Sequence, residues 1–276
     1  MRSPVLGMRI ALSLLALSVA SSAFAQSAPN NAPAPSPGVR YDRLLIRNAM
    51  VVDGAGNPAR GPMDIVVEGT TIASVRPARP MDEFGTTTPG GAARGGNAGR
   101  PAFDRIIDAS GMYVTPGLVD LHGHIHFGRN GRPWPKDYVY KLWLGHGITT
   151  VREPGSGTGL DTTVAHARLS AENRIAAPTL IPYVAVEAET PGSARARVRR
   201  IKARGGQGLK VFINRPDVWA AIADEAAKNG LPIATDMKIQ ELDALDAARL
   251  GVRSLEHWYG IPDAAIPGPQ RFPAYY

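Results

Sequence analysis

From residue 116 onward the apolar positions fall into two alternating textures. Short runs that are apolar throughout or apolar at every second position predict strands at Leu118–His124, Ile148–Arg152, Thr179–Val186, Gly208–Ile213, Leu231–Asp236 and Ser254–His257. Between them, segments with apolar residues three and four apart predict helices at Thr162–Asn173, Ser193–Arg204, Val218–Asn229 and Ile239–Leu250, most closed by Gly or Pro. Strand–helix alternation of this kind builds a parallel sheet through right-handed crossovers. The predicted fold class is therefore α/β: an incomplete (β/α)8 TIM-type barrel of about six strands over 116–258.

Upstream, the texture differs. Leu44–Ile46, Met50–Val52, Asp64–Val67 and Thr71–Val75 are short β-branched or aliphatic runs broken by Asn-Ala, Asp-Gly and Glu-Gly turns, with further pairing at Asp104–Asp108 and Met112–Val114. They predict a small antiparallel, β-sandwich-like domain over 41–115. A Gly-rich insertion at 80–100 interrupts it and lacks the Gly-Lys-Ser/Thr ending of a phosphate-binding loop. Residues 26–40 (QSAPNNAPAPSPGVR) read as a disordered linker with little to bury. Before them, Arg2 and Arg9, the apolar stretch Ile10–Ala20 and Ala23-Phe24-Ala25 have the order of a cleaved signal peptide over 1–25. That stretch is shorter than the roughly 20 residues a membrane span needs, so no stable span is expected after cleavage. The expected location is periplasmic or secreted.

Composition narrows the chemistry. The chain of 276 residues has no Cys, which excludes a disulfide framework, a thiolate metal site and a cysteine nucleophile. Its net charge of +7 includes Arg2 and Arg9, so the mature chain would carry +5. The densest basic run, Arg195 to Arg204, falls round an amphipathic helix with Ala196, Val198 and Ile201 as apolar members. It lacks interleaved aromatics or a nucleic-acid module, so a solvated helix face is expected and nucleic acid is not.

The candidate chemistry begins at Val119-Asp120-Leu121-His122-Gly123-His124-Ile125-His126. Side chains in a strand alternate, so Asp120, His122, His124 and His126 are expected on one face and Val119, Leu121 and Ile125 on the other. Two imidazoles two residues apart offer adjacent neutral nitrogen donors, which suit a first-row ion such as Zn²⁺. The bland alternative is a solvated strand whose histidines are hydrogen-bonded; three of the chain's six His within five residues weigh against it. Asp236 and His257 close later strands, where barrels carry working residues. Lys210 sits inside Leu209-Lys210-Val211-Phe212 with inward parity. Alternation leaves two outcomes open for it: a stem that reaches solvent, or an amine that is neutralised, paired or modified.

The run Val114-Thr115-Pro116-Gly117-Leu118-Val119-Asp120-Leu121-His122-Gly123-His124 resembles the opening of the amidohydrolase superfamily, metal-dependent hydrolases on a distorted TIM barrel. Gly147-Ile148-Thr149-Thr150-Val151-Arg152, Gly208-Leu209-Lys210-Val211 and Ser254-Leu255-Glu256-His257 agree in order and spacing, with the prolidase-like and imidazolonepropionase-like members closest in texture. The resemblance implies that His122 and His124 bind the more buried metal and His257 a second. It implies that Lys210 can carry a carbamate bridging the two. Divalent metals, one or two and of the zinc type, would clamp and acidify a water for attack on a carbonyl carbon.

Two departures stand out. Asp236 occupies the place of the family's fifth-strand His; an Asp oxygen can also ligate Zn²⁺. The family's eighth-strand acid/base Asp has no counterpart, because 19 residues follow His257 and a βαβ unit takes roughly 30. The Pro-rich tail over 259–276 reads as loop, and the sequence as a piece of a longer enzyme, inactive alone. Among weaker candidates, Asp120 could orient a ligand His, and His126 is a substrate contact or a rim residue. Glu153, just after the second strand, could approach the site, with a solvated loop as the default; His146 and His166 are expected at the surface. Trp258 and Tyr259 either wall a pocket or pack.

The expected activity is hydrolysis of a C–N bond in a small amide, cyclic amide or dipeptide-like substrate. The alternatives are a metal-dependent esterase or lactonase, and a non-catalytic binding protein of the same fold. Oligomeric state is open.

Overall fold

The computed structural model describes residues 38–79, 103–129, 131–212, 215–236 and 242–266. The predicted signal peptide, most of the linker, the Gly-rich insertion and the end of the tail lie outside the described residues.

The N-terminal part is one mixed sheet. It contains β1 (Arg43–Val51), β2 (Arg60–Glu68), β3 (Thr71–Pro77), β4 (Arg105–Asp108) and β5 (Tyr113–Val114), in the order β3-β2-β1-β4 with β5 also on β1. The antiparallel expectation holds for β1–β2 and β2–β3. It is corrected for β4 and β5, which run parallel to β1, and the described strands form one layer and not a two-sheet sandwich. The connection lengths account for this. Two residues join β2 to β3, which permits only a hairpin, whereas the long segment after β3 can return the chain to enter in the same direction as β1. Neighbouring residues join different clusters, Leu45 and Val66 with Phe103 but Ala49, Val51 and Ile65 with Ala109, so both faces of the sheet are covered.

The second sheet holds β6 (Leu118–Asp120), β9 (Ile148–Gly155), β10 (Thr179–Val186), β11 (Gly208–Val211), β12 (Ile233–Thr235) and β13 (Ser254–Leu255), paired in that order and all parallel. A small hairpin, β7 (Gly128–Arg129) with β8 (Arg132–Pro133), follows β6. The crossovers carry α1 (Tyr138–Gly145), α2 (Leu160–Ala171), α3 (Pro191–Ala203), α4 (Pro216–Lys228) and α5 (Ala244–Arg249), with α6 (Ile261–Ala265) last. This is the open, six-stranded part of a barrel. Alternation works as predicted in β11: Leu209 and Val211 join Val198, Ile201, Val218, Trp219 and Ile222 beneath the helices, which leaves Lys210 for the opposite face.

Three elements differ from expectation. The first strand ends at Asp120 and not His124, because Asp120 Oδ1 accepts the His122 N–H at 2.9 Å and turns the chain out of the ladder. Helix α1 was not anticipated: YVYKLWLG is aromatic and branched with a single charge, a strand-like composition made helical by packing Tyr140 and Trp143 beneath β9. The tail begins with helix α6 where a loop was expected, since Pro262 falls in its first turn, where the missing N–H does no harm. The basic run lies on α3 and faces acids, Arg199 reaching Glu225 at 3.1 Å, Arg195 pairing with Asp224 and Arg204 with Asp161. No helix among the described residues is long and apolar enough to cross a membrane.

Candidate metal centre

The C-terminal ends of the six parallel strands bring together the residues that the sequence singles out. His122 and His124 follow β6, Lys210 lies in β11, Asp236 follows β12, and His257 follows β13. The glycine between the first two histidines is required by space. A Cβ on Gly123 would lie 2.5 Å from Val151 and 2.8 Å from the Trp143 ring, so the loop can press against β9 and α1 only without a side chain there. At the far end His257 adopts φ +63°, a left-handed conformation uncommon outside glycine. Non-glycine residues in that region store strain and cluster at functional sites.

The rings of His122 and His124 stand 5.1 Å apart, centroid to centroid, and those of His122 and His257 5.0 Å. Each ring meets its own buried carboxylate through Nδ1. His122 bonds Glu256 Oε2, His124 lies 3.2 Å from Glu153 Oε1, and His257 lies 3.2 Å from Asp236 Oδ2. The three carboxylates are 5, 0 and 3% exposed, whereas the three rings retain 29, 44 and 42%. The accessible part of each imidazole is thus the side away from its carboxylate.

The electrostatics of the first pair follow from burial and neighbours. Burial pushes the His122 imidazole below the ordinary histidine value; Glu256 pulls it back up, while Lys210 and His124 add to the lowering. Burial alone would raise Glu256, but hydrogen bonds from Ser254 and His122 and the charges of Arg152 and Lys210 hold it below the usual carboxylate range. An ionised carboxylate only accepts, so a neutral His122 must carry its proton on Nδ1 and its lone pair on Nε2.

The remaining candidates take defined places. Lys210 is 1% exposed, so its stem does not carry the amine to solvent, and Nζ lies 5.2 Å from the Phe212 ring centroid. Asp236 turns one oxygen to His257 and so reads as that ring's partner. His126 is exposed, 5.8 Å from the His124 ring, and its carbonyl accepts from Trp134 Nε1 at 2.6 Å. Asp120 supports His122 through its backbone N–H, not its ring. Trp258 and Tyr259 stack at 4.8 Å, with Tyr259 edge-on to His257.

Sequence reasoning missed the places of Glu153, Glu256 and Arg152. Glu153 is fully buried in β9 and not in a solvated loop; it also accepts the Ser156 N–H. Glu256 and Arg152 are buried as well. The signal was available in β9, where an Arg-Glu pair ends an otherwise uncharged strand. His166 is likewise corrected from surface to core: it bonds the buried Tyr140 hydroxyl at 2.7 Å.

In kind, the donors fit a divalent ion. Metal-bound histidines almost always give their other ring nitrogen to a carboxylate, carbonyl or water, and here three rings do so with carboxylates. The rings are not drawn to ligand distance. Among the described residues, no three His, Asp or Glu side chains already form a metal cage.

Comparisons with known proteins bear on the fold and the family. No family model matches the chain. A Danio rerio protein named "Probable imidazolonepropionase" is 31% identical over 132 residues, 48% of this chain and 27% of that protein. An imidazolonepropionase of Pseudomonas putida (strain GB-1) is 28% identical over 166 residues, 59% of this chain and 37% of that protein. The chain thus spans well under half the length of these curated relatives. Among solved structures, a Xaa-Pro dipeptidase with methionine in its active site superposes with a TM-score of 0.54 at 18% identity, over 78% of this chain and 61% of that one. That likeness speaks for the barrel fold. With the His-Gly-His turn, the buried lysine and the sixth-strand histidine at one end of such a barrel, these likenesses support the amidohydrolase superfamily and its imidazolonepropionase-like members.

Proposed function

We propose that this chain carries the metal-binding portion of an exported hydrolase that cleaves a C–N bond in a small amide, cyclic amide or dipeptide-like molecule. The observation that carries the reading is the trio of histidines from the first and sixth strands, each with Nδ1 against a buried carboxylate. Their Nε2 atoms would hold a zinc-type ion. Carboxylation of Lys210 by CO₂ would exchange a buried cation for an anionic oxygen donor in the same place. A bound divalent ion supplies Lewis acidity, which activates water and polarises a carbonyl.

The chain's own residues do the rest. Glu256, Glu153 and Asp236 hold the three rings in orientation and take up their N–H groups. Asp236 acts through His257 in this reading, which lowers the number of direct ligands. Trp258 and Tyr259 beside His257 give the mouth an apolar wall suited to a small organic substrate. Export rests on residues 1–25. Amino-terminal sequencing of the mature protein from fractionated cells is expected to begin after Ala25.

Metal analysis of the purified full chain tests the centre. One or two divalent ions per chain are expected, with less in Lys210→Ala. Near-zero metal in a well-folded preparation would remove the reading. Paired amide and ester substrates then separate C–N from C–O cleavage.

A further inference from the structure

Arg152 makes contacts to three other strands of the sheet. It stands near the end of β9, 8% exposed. Its Nε donates to the Leu121 carbonyl at 2.6 Å, just beyond β6, and its Nη1 to Ser254 Oγ at 2.8 Å, in β13. Nη2 donates to Glu256 Oε1 at 2.5 Å. The guanidinium also lies 5.1 Å from the Tyr183 ring centroid in β10. Tyr183 in turn fits because Gly208 lacks a side chain: a Cβ there would lie 2.4 Å from the ring.

In the order of the sheet, β13 is four strands from β9. Laid flat, at about 4.8 Å per strand, the two would be about 19 Å apart, beyond what an arginine and a glutamate span together. The contact exists because the sheet curls, and Arg152 lies along the chord of that curl. Its anionic partner is also the group that holds His122: Glu256 takes Arg152 and Ser254 on Oε1 and the His122 ring on Oε2. One guanidinium therefore touches both strand ends that carry the histidines.

We propose that Arg152 is a positioning residue for the metal centre, fixing the span between the first and sixth strands and, through Glu256, the orientation and tautomer of His122. The inference rests on the metal reading above. A lysine keeps the charge but cannot reproduce the planar fork, so Arg152→Lys separates geometry from charge. The doubly neutral Arg152→Met/Glu256→Gln variant removes a buried pair together, a change that is often neutral for folding.

Two readouts are needed, both on the full chain at pH 8. In metal-free protein, ring ¹⁵N shifts should show His122 as the Nδ1–H tautomer, and a mixture of tautomers in both variants. With Co²⁺ as probe, chelator competition should show an affinity about 10–100-fold lower in each variant, with an altered visible spectrum, as expected for loss of support behind a ligand. Urea unfolding confirms that each variant is folded, and either one suffices. A folded variant with wild-type tautomer and Co²⁺ affinity within about twofold of wild type would reduce Arg152 to a structural tie and overturn the proposal. If wild-type chain bound no Co²⁺, the metal reading would fall by itself, and the metal-free tautomer comparison would still decide whether Arg152 orients His122.

Discussion

Two regions of the molecule bury a carboxylate near an arginine, and they do different things with it. In the N-terminal sheet Asp64 is fully buried; its Oδ1 accepts the Asn48 N–H at 3.2 Å, its Oδ2 the Arg79 N–H at 3.0 Å, and Arg47 Nε lies 3.7 Å away. Its backbone partners belong to the irregular stretch of β1 and to the chain after β3, so the charge ties these parts of the sheet together. At the mouth of the parallel sheet, Glu153 and Glu256 meet imidazole N–H groups. A carboxylate that binds backbone amides and no imidazole completes the fold. One that binds an imidazole leaves the other ring nitrogen available to a ligand.

The sharpest way to break that comparison is Asp64→Ala. Removing one partner of a buried charged network costs about 3–5 kcal/mol, so the urea midpoint should fall sharply. Co²⁺ affinity measured under folding conditions should stay at the wild-type value. Loss of affinity in step with stability would mean that the two regions are not separable in function.

Residue type and spacing made His122, His124 and His257 legible in the sequence, and strand alternation made Lys210 so, because these signals act locally. The buried lysine was visible as a misfit in an apolar strand before its surroundings were known. Glu153 and Glu256 were not legible as ring partners. Glu256 is 134 residues from His122 and 104 from Arg152, and only the curl of the sheet makes them neighbours. Asp236 was read as a ligand from its place in the chain, whereas its direction, towards His257, depends on where β13 lies. The first strand was read too long for a local reason: Asp120 can replace a ladder bond with its own side chain, and alternation takes no account of that.

A change of intermediate size is expected from Glu153→Gln. The amide keeps the volume but not the charge that faces His124 Nδ1. Divalent-ion affinity should drop about 10–100-fold, or roughly 1.4–2.7 kcal/mol, the effect typical of partners behind a metal ligand. The urea midpoint should move far less than in Asp64→Ala. Unchanged Co²⁺ affinity with a collapsed midpoint would place Glu153 with Asp64, among groups that serve the fold.

The smallest effect concerns a histidine held by neither kind of carboxylate. Tyr140 is fully buried, and burial, with Glu153 nearby, raises its phenol well above the ordinary value, so the hydroxyl keeps its proton and shares a hydrogen bond with His166 Nδ1 at 2.7 Å. Burial first, and then the charge of Lys136, lowers the His166 pKa. An unfolded histidine titrates near about 6.5. Above that pH both states are neutral, and the contribution of this residue to stability is complete. Below it the unfolded chain takes up a proton that the folded core resists, so stability is lost as the pH falls from about 6.5 towards the lowered folded value. Urea midpoints at pH 7.5, 6.5 and 5.5 should decline more steeply for wild type than for His166→Gln, since all other titrating groups are shared. Parallel declines would mean that this ring is protonated as easily inside the core as outside, and the contrast between phenol-held and carboxylate-held histidines would lose its electrostatic basis.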